Sequence, residues 1–104
     1  MNENQEQDFE LIVERVLILI KVGSGAKEEI KIRIGRPYWV EENIEAVCPI
    51  SFDGLHPTRE HIHGIDPLNA LELAIRFSHR FLSNRSPNEK FFWTDGEEYS
   101  MDGM

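Results

Sequence analysis

The chain is 104 residues long, with 40% apolar residues and 19 acidic against 11 basic side chains, a formal charge of −8. A chain of this length buries one core and not a second, and its apolar content is that of a folded protein. The charge repels phosphate backbones and anionic membranes, so nucleic acid and membrane surfaces are not expected partners, whereas a basic protein surface is favoured.

Residues Met1 to Asp8 are polar and acidic, without the positive and apolar regions of a secretory signal. From Phe9 to Val22 the residues are β-prone, with Val16, Ile18, Ile20 and Val22 on one parity and Leu17 and Leu19 on the other. The apolar phase slips between Val13 and Val16, which predicts a bulge or break near Glu14 and Arg15. The run Val16 to Ile20 is too short to span a bilayer. Gly23 to Lys27 reads as a turn, and Glu28 to Ile34 as a second strand with Ile30, Ile32 and Ile34 inward and Lys31 and Arg33 outward. Gly35-Arg36-Pro37 ends it, and Tyr38 to Asn43 reads as a connection.

A third strand follows, with Ile44, Ala46, Cys48, Ile50 and Phe52 on its apolar face and Pro49 making it edge-like or bulged. Cys48 is the single cysteine, so no intramolecular disulfide and no cysteine-based zinc cage can form, and a reducing, cytoplasmic setting is expected. Its parity with Ile50 and Phe52 marks it as a core residue rather than a nucleophile. Thr58 to Ile65 reads as a fourth strand.

The helix signal is the clearest in the chain: Gly64 turns the chain in, Asp66 caps, and Pro67 takes the first helical position. Leu71, Ala74, Ile75, Ser78, Phe81 and Leu82 form its apolar face, with Asn69, Glu72, Arg76, His79 and Ser83 opposite and Asn84 as a left-handed stop. Phe91 to Trp93 adds a last strand or closes the core, and residues 95–104 read as an acidic, mobile tail. The expected architecture is one α+β domain over residues 1–94, an antiparallel meander sheet of four to five strands covered on one face by a single long helix.

His56, His61 and His63 carry the sharpest chemical signal, since His61-x-His63 places two imidazoles on one strand face at a spacing that can hold zinc. A solvated strand face is the plainer reading. Glu41, Glu42 and Glu45 read as a solvated charge cluster rather than paired catalytic carboxylates. Tyr38 and Trp39 suit either a protein-binding anchor or a plug over one end of the sheet. Leu17 and Leu19, on the face expected to lie away from the helix, are candidates for burial against a second copy in a homodimer.

Ile34-Gly35-Arg36-Pro37, Cys48-Pro49-Ile50 and the stretch Gly64-Ile65-Asp66-Pro67-Leu68-Asn69-Ala70-Leu71-Glu72-Leu73-Ala74, with Trp93 after it, resemble a small bacterial family of uncharacterised proteins. The resemblance spans about residues 30–93 and departs from the family pattern at Asn69, where members more often carry glutamine. It implies a bacterial origin and no established activity, and it supplies no catalytic residues or cofactor. The residues themselves favour a non-enzymatic protein-interaction domain, in its sharper form an immunity-type or inhibitor protein that masks a basic partner. The competing expectation is a metal-binding sensor or metal-dependent enzyme centred on His56, His61 and His63.

Overall fold

Among the described residues, six strands and one helix follow one another as β1 (Leu11–Lys21), β2 (Lys27–Gly35), β3 (Tyr38–Glu41), β4 (Glu45–Asp53), β5 (Glu60–Gly64), α1 (Pro67–Ser83) and β6 (Glu89–Phe92). This computed structural model describes residues 9–85 and 87–99. The reading of Met1 to Asp8 and the part of the tail reading on residues 100–104 lie outside the described residues.

All strand pairs are antiparallel and belong to one sheet. β5 overlaps both β2 and β3 along β4, pairing at Ile50 and at Ala46 and Val47, so β2 and β3 must share the opposite edge of β4. They form one long strand interrupted at Arg36 and Pro37, where Pro37 can donate no ladder bond. The two ladders stop at Ile50 and Val47, leaving Cys48 and Pro49 unpaired on that edge. That gap accommodates Pro49 inside a central strand, where an edge position or bulge was expected. Across the sheet the order is thus β5, β4, β2 with β3, β1, β6, and α1 carries the chain from one outer strand to the other.

Tyr38 to Glu41 is a strand rather than the expected connection, closed by a turn in which Asn43 has φ 63°. The bulge in β1 lies between Leu11 and Val13, slightly before the expected position. The more consequential difference is the parity of β1. Leu17 pairs with Ile30, Arg15 with Ile32 and Val13 with Ile34, so Val13, Arg15, Leu17 and Leu19 face the helix side, and Val16, Ile18 and Ile20 face away. Both parities of β1 are apolar, so hydrophobicity could not choose between them. The choice is made by register: the turn bonds Lys21 N–H to Ala26 O and sets Ile20 opposite Lys27.

Leu17 and Leu19 are therefore core residues with 0% and 1% exposure, and no partner is needed to cover them. With Ile30, Ile32, Ile50, Phe52 and Phe91 they form the apolar layer beneath the helix, and each fully buried side chain of this kind contributes about 1.5–3 kcal/mol. α1 packs chiefly on β4 and β5. Ala70, Ala74, Ser78 and Leu82 form its buried stripe, and the Phe81 ring stacks on Phe52 at 4.1 Å.

The start of α1 is fixed twice over. Asp66 Oδ1 accepts the Asn69 N–H at 2.7 Å, a donor that the helix leaves open, and Asn69 Oδ1 in return accepts the N–H of Ile65, just ahead of the cap, at 3.0 Å. A side chain at Gly64 would put its Cβ 2.5 Å from the Ala70 nitrogen, so glycine alone lets β5 lie this close to the helix. Asn84, with φ −92°, is not left-handed.

Asp95 to Tyr99, expected as the start of a mobile tail, folds back instead. Trp93 N–H bonds to Glu97 O, Tyr99 N–H bonds to Phe91 O, and Tyr99 is buried. The aromatic ring outweighs the acidic residues around it, which remain exposed.

Candidate docking groove

α1 lies over β4 and β5, whereas the sheet extends further to β2, β1 and β6. Among the described residues, the part of the helix-side face that α1 leaves uncovered forms a groove of about 180 Å³, with Val13, Ile32 and Ile34 as floor, Ile75, Ser78 and His79 as the helix wall, and Glu14 and Arg15 at its rim. Its character is mainly apolar, and Ile75 and Val13 remain 39% and 52% exposed.

β1 borders this groove with an open edge. β6 pairs only with Ile18 to Lys21, and among the described residues no strand pairs with Leu11 to Leu17 on that side. Trp93 would continue the β6 ladder toward Leu17, but the chain turns there, with Gly96 N–H bonded to Trp93 O. Leu11 and Ile12 are 41% and 47% exposed.

A polar network closes one end. Arg15 Nη1 donates to the Tyr99 hydroxyl at 3.0 Å, and that hydroxyl lies 3.2 Å from His79 Nδ1. The hydroxyl accepts from Arg15 and shares a second hydrogen bond with the His79 imidazole. Burial and the positive Arg15 push the His79 pKa below its ordinary value, so His79 is neutral at pH 7. The Arg15 guanidinium also packs over the rings of Trp93, at 5.1 Å, and Tyr99, at 5.5 Å.

Sequence reasoning gave Arg15 and Tyr99 no functional role. His79 was placed on the solvent stripe of the helix and instead faces the groove. The available signal was Arg15, a lone charge on the parity of Val13, Leu17 and Leu19, and it becomes visible only once the parity of β1 is known.

The residues singled out from sequence are not gathered in one place. Tyr38 pairs with Val47 on the outer face and Trp39 with Ala46 on the helix side, so the two rings project to opposite faces. His61 and His63, opposite Pro49 and Val47, share the outer face. His63 bonds to Glu45 through Nδ1. His56 instead bonds to Glu60 at 3.2 Å and stands edge-on to Phe81 of the helix at 5.9 Å. The sheet thus separates His56 from the other two, and among the described residues no three His, Cys, Asp or Glu side chains are grouped to hold a metal ion.

Cys48 is fully buried, its thiol donates toward Gly35 O at 3.5 Å, and burial pushes its pKa up to about 11. It is a thiol, not a thiolate, at neutral pH, as its core parity implied. On the outer face, Ile18, Ile20 and Phe92 line a shallow trough beside Lys27, Glu28 and Glu29. Among the described residues no helix is long and apolar enough to cross a membrane. Comparison with protein-family models, curated proteins and solved structures finds no match to this chain.

Proposed function

We propose that the chain is a cytoplasmic, non-enzymatic interaction domain that takes up an extended segment of another protein along the open half of β1, beside the groove. The observation that supports it most directly is the lane along Leu11 to Leu17, where among the described residues no strand pairs. An unpaired strand presents a row of N–H and C=O groups that bind a further strand, and alternate side chains of that strand reach the two faces of the sheet. Here one of those faces is an apolar groove. The net charge of −8 favours a partner whose surface is basic overall, as an immunity-type or inhibitor protein would meet, because charge of this size steers encounter.

A displayed library of random twelve-residue peptides tests the reading. Selected binders should slow amide hydrogen exchange within Leu11 to Leu17 and lose binding when alternate backbone nitrogens of the peptide are methylated. Binders that protect only the outer trough at Ile18, Ile20 and Phe92 would overturn it. A light-scattering mass of two chains, with the same β1 amides protected in the absence of peptide, would replace the foreign segment by a second copy.

A further inference from the structure

We infer that the segment taken up along β1 carries a carboxylate side chain opposite Arg15 and an apolar side chain two positions away, opposite Val13. This rests on the docking reading above and adds the chemistry of the segment. Arg15 and Val13 share the helix-side face of β1 at the groove. A residue directly opposite each in an added antiparallel strand points to that same face, with Cβ atoms about 5 Å apart.

The state of Arg15 supplies the charge argument. Arg33 pairs with Glu14 and Asp53, Arg36 with Glu10, and Arg85 with Glu89. Arg15, in a chain with 19 acidic residues, has no carboxylate at ion-pair distance among the described residues. Its bonded neighbour is the neutral Tyr99 hydroxyl, and the rings of Trp93 and Tyr99 restrain the guanidinium. One of its five N–H donors is spent there, which leaves donors in the fork geometry that matches a carboxylate. Because the cation is already held in place, less side-chain freedom is lost on pairing than for a free arginine.

Two positions along, Val13 opens onto Ile34 and Ile75, so the matching side chain of the segment meets apolar surface. The long-range preference for a basic partner is compatible with this contact: the net charge acts on the whole surface, whereas the pair at Arg15 acts at a few ångströms.

The same peptide selection, repeated on Arg15→Gln and Arg15→Glu, tests the inference. Wild-type binders should share an Asp or Glu two positions from an apolar residue. Arg15→Gln should weaken them about fivefold, the size of a good cross-strand charge pair. Arg15→Glu should abolish binding and regain it when the peptide acid is changed to Lys. That charge swap shows that the variant is folded. Binders that protect β1 yet show no acidic preference and tolerate Arg15→Gln would overturn the inference and leave the docking reading standing. An absence of β1-protecting binders would overturn both.

Discussion

The β4 and β1 regions of this sheet both present apolar residues to the helix side, yet only one is sealed. Over β4, Phe52 meets Phe81 and Phe77 at ring separations of 4.1 and 6.0 Å, and Ala70 and Ala74 let the helix backbone come close. α1 does not reach the first half of β1, and among the described residues the cover there is Arg15 with Tyr99 and His79 at one end of a groove. The difference originates at Gly64, where the chain leaves β5 and must start α1 directly against it. α1, packed chiefly on β4 and β5, leaves the first half of β1 outside its cover. The sealed region then carries the stability, and the open one is the surface proposed to take up a partner segment.

The largest expected effect is at the sealed end. Phe52→Ala removes a fully buried ring from the stack with Phe81 and should cost about 3–5 kcal/mol, read by urea denaturation. Leu17→Lys with Leu19→Lys should likewise unfold the chain rather than leave a folded, dissociated one, because both leucines are core residues. A smaller loss is expected from Gly64→Ala, whose Cβ would stand 2.5 Å from backbone and force β5 and α1 apart. Its cost of about 1–3 kcal/mol should come with chemical-shift changes confined to β5 and the first turn of α1. If those changes instead reached Val13 and Arg15, the two ends would be coupled and the comparison would fail.

How much of this was legible in the sequence follows the same division. The helix, its cap at Asp66, the inward set Ile30, Ile32 and Ile34, and the burial of Cys48 are readable because one periodicity or one cap residue decides each. The face of β1 was not readable, since Leu17 and Leu19 compete with Val16, Ile18 and Ile20 and only the turn register decides. The groove inherits that ambiguity. Its members come from β1, β2 and α1 and meet only after the register is set, and Tyr99 reaches them from a stretch whose acidic composition suggests disorder. His56, His61 and His63 are near in sequence, but the structure sets His56 against Phe81 on the helix side and His61 and His63 on the outer face, a separation that sequence spacing does not reveal.

The helix cap should give a more modest effect. Asp66→Ala removes the acceptor for the Asn69 N–H and should cost about 1 kcal/mol, with Asp66→Asn recovering most of it. The loss belongs wholly to the sealed end, so peptide uptake at β1 by the folded fraction should be unchanged.

The smallest expected effect is the most informative about the open end, and it uses one substitution at two places. Val47 on β4 is 3% exposed, whereas Val13 on β1 is 52% exposed. Val→Thr keeps the shape and replaces a methyl by a hydroxyl, so its cost reports whether that hydroxyl still finds water. At Val47 the hydroxyl is shut away from solvent, and Val47→Thr should cost about 1–3 kcal/mol unless it captures a carbonyl. At Val13 the hydroxyl stays hydrated, and Val13→Thr should lie within about 0.5 kcal/mol of the parent. Parallel urea titrations with a common slope measure the pair. Equal losses would mean that Val13 is as dry as Val47 in solution, so that something already occupies the lane along β1. A near-zero loss at Val13, joined to weaker uptake of apolar peptides, is the result that an open groove requires.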